Sequence, residues 1–292
     1  AGHPGEDQNL FDTVQAVGME LCPALGINIP VGKDSLSMRT VWRDKGLDKK
    51  VTAPLSLVVS AFAPVSDIRK TVTPQLRSEP DTVLLLLDLG CGQNRLAGSA
   101  LAQVFGKVGD VAPDIDDPRR LKRFFETTQK LLAEDALLAY HDRSDGGLLV
   151  SVLEMAFAGR TGVDLVLDHV AGDNNEALEA LFAEEAGAVV QVRADLADHV
   201  IAEYAEAGLG ECVHRIGEPN ADDVLRIRLG VAILLEGPRR ELHRTWAETS
   251  YRMQALRDNP SCARQEFDAI PRNIDPGLNV RLTFDMTDNP AA

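Results

Sequence analysis

Apolar positions along this chain recur at two periods, and the switch between them predicts its elements. Over residues 10–25, Leu10, Val14, Val17, Leu21 and Leu25 keep helical spacing, with Asp7 as the expected N-cap and Gly26 as the stop. A short strand is expected at 27–31. Alternation through Leu36, Met38 and Thr40 predicts a second strand, 43–50 an exposed hairpin tip, and the apolar run 55–62 a buried return strand. Pro64, Pro74 and Pro80 sit in a polar stretch that reads as a domain boundary. Strands are then expected at 82–89, 137–140, 163–167, 188–193 and 213–216, with closing strands in 224–235. Helices are expected between them, after Ser99, across Leu121, Phe124, Phe125, Leu131 and Leu132, from Leu148 to Phe157, and over 177–182, 195–207 and 240–257. In the last of these, Leu242, Trp246, Met253 and Leu256 mark one side, and no periodicity is expected beyond Asn259. Alternating strands and helices predict an α/β or α+β domain.

Composition narrows the function. At 292 residues, two domains are the default, and 45% hydrophobic with 26% charged residues is an ordinary globular balance. A net charge of −15 argues against nucleic acid or an acidic membrane as partner. An acidic protein that binds phosphate needs metal ions, helix N-termini or local basic groups. Cys22, Cys91, Cys212 and Cys262 have no C-x-x-C spacing and no telling histidine partner, which fits a reducing cytoplasm and predicts no zinc site, no disulfide framework and no thiol catalysis. No apolar run is long enough for a membrane span. The chain opens Ala-Gly-His-Pro, which reads as a piece of something longer or as a processed terminus.

One stretch concentrates the chemistry. Tyr140-His141-Asp142-Arg143-Ser144-Asp145-Gly146-Gly147 joins a strand to a helix, placing carboxylates, a hydroxyl and backbone N–H groups at a helix N-terminus. Such a spot favours phosphate, and an adjacent Asp favours a bridging Mg²⁺. Spacing leaves Asp142 evenly divided between metal ligand and helix cap. Two glycines opening a helix cost about 1 kcal/mol each against alanine, which a close backbone approach would explain. His141 reads as a hydrogen-bonded structural histidine. Gly90-Cys91-Gly92 after a strand is a weaker phosphate-loop signal. Lys33-Asp34-Ser35 divides equally between a solvated loop and an anion contact between two strands. Glu184-Glu185 reads as a solvated helix end.

Longer motifs carry a resemblance. Ile29-Pro30-Val31-Gly32-Lys33-Asp34-Ser35-Leu36-Ser37-Met38 and Ala139-Tyr140-His141-Asp142-Arg143-Ser144-Asp145-Gly146-Gly147-Leu148-Leu149 closely resemble the large single-chain phosphoribosylformylglycinamidine synthases of purine biosynthesis. So do Glu154-Met155-Ala156-Phe157-Ala158-Gly159, Trp246-Ala247-Glu248-Thr249, Leu256-Arg257-Asp258-Asn259-Pro260 and Asp275-Pro276-Gly277-Leu278-Asn279-Val280, in the family's order. The resemblance implies an aminoimidazole-ribonucleotide-synthetase-like α/β (α+β) fold. In it, 1–65 is the end of an N-terminal-type domain, 66–81 a linker, 82–237 a complete C-terminal-type domain, and 238–292 a helix and connector toward a glutaminase. It implies an ATP-dependent ligase converting formylglycinamide ribonucleotide, with ammonia from glutamine, to the amidine. ATP or ADP and Mg²⁺ would be its cofactors, and the remaining synthase and glutaminase domains of the same chain its partners. Asp142 would be a Mg²⁺ ligand, Ser144 and Gly32 nucleotide contacts, and Ser35 and Lys33 substrate contacts, although Lys33 stands where smaller synthetases carry an asparagine metal ligand. The catalytic residues of the glutaminase would lie on that further domain and none in this chain. Two other readings stay open: another ATPase of the superfamily, and a scaffold that holds a nucleotide without consuming it.

Overall fold

The strand expected at 82–89 is the spine of the molecule. In the computed structural model, which describes residues 2–33, 38–272 and 280–285, β1 (Arg39–Asp44) and β2 (Leu47–Thr52) form a hairpin and β3 (Thr82–Asp88) begins the main sheet. Every residue of β3 is buried. Its unbroken apolar run reflects cover on both faces, the situation in which strands lose their polar alternation.

Among the described residues the main sheet has seven strands. β4 (Ala139–Asp142), β5 (Gly162–Val166), β6 (Gly187–Arg193), β7 (Val213–Asn220), β8 (Val224–Leu229) and β9 (Ala232–Pro238) join β3 in the order β4-β6-β3-β7-β5-β8-β9. Pairing is antiparallel except between β5 and β8. The N-terminal helical segment holds α1 (Glu6–Gln15) and α2 (Cys22–Leu25), and α3 (Ala100–Val104) follows the Gly-rich loop. α4 (Pro118–Ala133), α5 (Gly147–Gly159), α6 (Asn174–Phe182), α7 (Ala197–Glu206), α8 (Arg239–Arg257) and α9 (Pro260–Ala269) complete the helices. Leu84 and Leu86 of β3 pack with Leu148, Val152 and Met155 of α5 and with Leu181 of α6. Val83, Leu85 and Leu87, one residue out of phase, pack with Phe124 and Leu131 of α4 and with Val200 and Tyr204 of α7. The period-2 alternation of a strand divides one sequence run between two cores.

Several expectations are corrected. The run 55–62 is not a strand. Val58 and Phe62 are 89% and 95% exposed, because no described strand lies alongside to take up its backbone groups or cover its side chains. Residues 27–31 likewise form no strand. The first helix starts earlier, with left-handed Gly5 rather than Asp7 at its N-cap, and passes through a π-helical turn at Ala16–Leu21 into α2. On α8, Leu242 packs on the core, and His243 and Trp246 meet Phe157 with ring centroids 4.4 and 5.8 Å away. Met253 and Leu256 instead stay 65% and 90% exposed.

Beyond Asn259, where no periodicity was expected, α9 forms. Its signal is the cap: the Asn259 side chain accepts from the Ser261 and Cys262 N–H groups at 2.9 and 3.2 Å, with Pro260 in the first turn. Tyr251 and Phe267 stack at 4.4 Å between α8 and α9. The Pro-rich stretch before β3 is tied to the sheet. Leu76 is 1% exposed, and Gln191 accepts from the Arg77 N–H at 2.8 Å and donates to its carbonyl at 3.0 Å.

Candidate functional site

β4 is an edge strand, and it ends at Asp142, two residues later than the hydrophobic run alone suggests. The next three residues alternate sharply in environment. Arg143 turns inward and is buried, while Ser144 and Asp145 stay exposed beside exposed Asp142. Gly146 and Gly147 then adopt φ values of 84° and 70° and start α5. The turn closes with the Gly147 N–H donating to the Ser144 carbonyl at 2.9 Å.

The double glycine has an internal cause. A Cβ on Gly147 would lie 2.7 Å from the Leu181 carbonyl oxygen and from the Phe182 carbonyl carbon. The close approach is therefore made by the C-terminal end of α6. The same segment supplies Glu184, whose Oε1 accepts from the Gly146 N–H at 2.7 Å and from the Ala100 N–H at 2.8 Å. Part of the donor array that a helix start offers an anion is already taken by the protein's own carboxylate.

Beneath the turn lies a buried polar network that the sequence reading missed. Arg143 donates to Asp88 Oδ1 at 2.5 Å, to the Glu185 carbonyl at 2.7 Å and to the Ala186 carbonyl at 3.3 Å. Asp88 also accepts from the Gly90 and Gly92 N–H groups at 3.1 and 2.7 Å, so the Gly-rich loop curls around a carboxylate of its own chain. Glu185 is fully buried and makes a two-pronged pair with Arg95, at 2.7 and 2.8 Å. Arg95 reaches on to Asp116 at 3.0 and 3.1 Å. The two carboxylates, Glu185 first, push the Arg95 guanidinium well above its ordinary range, and Arg95 holds the Asp116 carboxyl below its own. Glu184 and Glu185 are thus structural bonds between loops, which corrects the expected solvated helix end. The legible signal was two acids between the apolar pair Phe182-Ala183 and the strand that follows.

At the exposed rim, the Tyr140 hydroxyl donates to Asp142 Oδ1 at 2.6 Å. Burial, and then this carboxylate, push the Tyr140 phenol well above its ordinary range, so it acts as a fixed neutral donor that orients Asp142. His141 bonds Glu154 at 2.8 Å and the Asp142 carbonyl at 2.7 Å, in keeping with a structural histidine. Asp142, Ser144 and Asp145 form a set of hard oxygen donors on one short turn, the chemistry Mg²⁺ prefers. Among the described residues no group of three or more His, Cys, Asp or Glu gathers as a metal cage. A cation here would take one or two carboxylates and fill its shell from phosphate and water, as Mg²⁺ commonly does.

The structure brings Asp142 and Ser144 onto one turn. Gly32 and Lys33 lie on a separate exposed segment without regular structure. Ser35 lies outside the described residues.

Comparison with known proteins gives two family matches in order along the chain. Residues 1–64 match the FGAR-AT PurM_N-like domain, and residues 79–230 match the C-terminal domain of AIR synthase related proteins. Among solved structures, T. maritima PurL complexed with ATP is 18% identical, covering 60% of this chain and 27% of that one, with a TM-score of 0.48. T. maritima PurL complexed with FGAR is 19% identical, covering 60% and 30%, with a TM-score of 0.48. The hydrogenase maturation protein HypE in complex with ATP is 15% identical, covering 59% and 56%, with a TM-score of 0.41. The chain spans less than a third of the length of the PurL chains it matches. At these identities and scores the solved structures assign no residue role.

Proposed function

This chain belongs to the AIR synthase related family, and from that premise we propose that it forms part of an ATP-dependent carbon–nitrogen ligase, a phosphoribosylformylglycinamidine synthase. The reaction is conversion of formylglycinamide ribonucleotide to the amidine, with glutamine as nitrogen donor. The observation that carries this reading is the pair of family matches in order, an FGAR-AT PurM_N-like domain at 1–64 and then the C-terminal synthase domain at 79–230. The partners are ATP, the ribonucleotide, and further synthase and glutaminase domains of the same polypeptide. We place the activity in the cytoplasm, the reducing compartment that free cysteines fit.

Within this reading the rim of the turn meets the nucleotide. Asp142, oriented by Tyr140, would hold Mg²⁺, and the Ser144 hydroxyl would contact the nucleotide. By the family resemblance, Gly32 would contact the nucleotide, and Lys33 and Ser35 the ribonucleotide. When bound, the cation would supply charge neutralisation on the phosphates. The chain's own part is to fix donors in place, since Arg143 and Glu184 lock the turn from beneath. A second reading has one supporting observation. The Glu184 carboxylate occupies the Gly146 N–H at the start of α5, leaving one donor fewer for a transferring phosphate, which suits a nucleotide that is held rather than consumed.

Calorimetric titration of ADP in Mg²⁺ tests the site. Asp142→Asn should weaken binding about tenfold or more, roughly 1.4 kcal/mol, and leave the metal-free affinity unchanged. Equal affinity of both proteins in Mg²⁺ refutes the assignment. Turnover of the whole enzyme separates the readings. Asp142→Ala abolishes it with stability intact if the nucleotide is consumed here. It lowers stability with turnover unchanged if the nucleotide is structural.

A further inference from the structure

Cys91 and Cys212 lie 121 residues apart in sequence, yet their sulfurs are 3.0 Å apart. Both are free thiols, and their settings differ. Cys91 is exposed on the Gly-rich loop after β3, with φ of 48°, where its N–H donates to the Asp88 carbonyl at 3.1 Å. Cys212 is 3% exposed, at the end of the short 3₁₀ turn Gly210–Cys212 that leads into β7, and it packs with Leu87, Leu89 and Tyr204 in one core. A disulfide needs its sulfurs about 2.05 Å apart, so closure requires a movement of about 1 Å. The moving partner sits in a surface loop, where such a shift is accommodated without repacking the core. The other two cysteines, Cys22 and Cys262, lie elsewhere in the chain, on α2 and α9.

We infer that Cys91 and Cys212 form an oxidant-responsive dithiol that closes to an intramolecular disulfide and ties the Gly-rich loop to the start of β7. The roles follow from exposure. Cys91 meets the oxidant and Cys212 resolves it. Burial first, and then the neighbouring Cys91, push the Cys212 thiol up to about 12, so Cys212 does not react with solvent oxidants directly. With a peroxide as oxidant, the Cys91 thiolate attacks one peroxide oxygen. The S–O bond forms, the O–O bond breaks, and the hydroxide released is protonated to water. The Cys212 sulfur then attacks Cys91 sulfur and loses its proton. The S–S bond forms, the S–O bond breaks, and a second water leaves. Overall two thiols lose two electrons, and one peroxide becomes two waters.

This inference does not depend on the proposed ligase activity. Its consequence is local: Gly90 and Gly92 on either side of Cys91 donate to Asp88, which pairs with Arg143 below the candidate site. The disulfide fixes the loop that builds this network.

The test is a non-reducing peptide map of the purified chain after hydrogen peroxide, with free thiols alkylated. The expected result is a peptide pair joined through Cys91 and Cys212, lighter by two hydrogens and released by dithiothreitol, with Cys22 and Cys262 still alkylated. In Cys212→Ser, oxidation should stop at a sulfenic acid on Cys91 that dimedone traps. In Cys91→Ser, Cys212 should remain a thiol. Recovery of both cysteines as alkylated thiols in the treated wild-type chain overturns the inference. So does over-oxidation of Cys91 with Cys212 still reduced, or a disulfide joining Cys91 to any other cysteine.

Discussion

Arg143 offers the sharpest test of how the turn is held. Its side chain is about 1% exposed, and it spans Asp88, the Glu185 carbonyl and the Ala186 carbonyl. Arg143→Met keeps much of the volume and removes every donor. Breaking a buried ion pair from one side costs about 3–5 kcal/mol, because the remaining charge loses its compensation. Asp88 keeps two N–H donors, from Gly90 and Gly92, so the lower end applies, about 3 kcal/mol. For a domain of this size each kcal/mol shifts Tm by roughly 2–4 °C, giving a fall of roughly 6–12 °C. Urea denaturation and scanning calorimetry would both read it. Adding Asp88→Asn removes the stranded charge, so the double variant should be more stable than the sum of the single losses predicts, by about 1 kcal/mol or more. A single-variant loss below about 1 kcal/mol, or strict additivity, would refute a dry, paired network here.

Other outcomes follow from individual positions. Gly147→Ala adds a Cβ against the end of α6 at positive φ and should cost about 2 kcal/mol or more, whereas Gly92→Ala, at φ of 78° with open space around it, carries strain alone and should cost about 1 kcal/mol. Equal losses in chemical denaturation would remove the close-approach explanation. Burial pushes the His243 imidazole below its ordinary value, with Arg239 and Arg160 adding to the effect, and burial lowers His214 similarly. His243 Nδ1 is buried without a hydrogen-bond partner among the described residues, which suits a neutral ring. The unfolded chain protonates these histidines near pH ~6.5, whereas the folded chain does so only at lower pH. The unfolded state therefore binds more protons as pH falls below ~6.5, and stability declines over that window. His243→Phe, stacking on Phe157 in the same place, should flatten the decline in Tm between about pH 7 and pH 5.5. An unchanged slope would exclude His243 as a source.

The elements of the C-terminal domain were legible because their signals are local. α4 has apolar spacing that states its period, β3 and α5 are apolar runs of strand and helix length, and Ser99 caps the helix expected after it. The turn at 142–147 was legible as a strand-to-helix junction, since Asp, Ser and paired glycines have few other uses in that order. Residues 55–62 show the limit. β-rich composition describes a surface that suits a neighbouring strand, and it cannot supply the neighbour. Sequence by itself therefore determined the extents of the core elements, the cap at Ser99 and the family motifs. Only the tertiary structure decided which charges are solvated. Glu185 read as solvated and Arg143 carried no reading of its own, because nothing within a few positions of either reveals Arg95 or Asp88, 90 and 55 residues away. A buried charge is stable only with the partner that folding brings to it, and the local pattern does not name that partner.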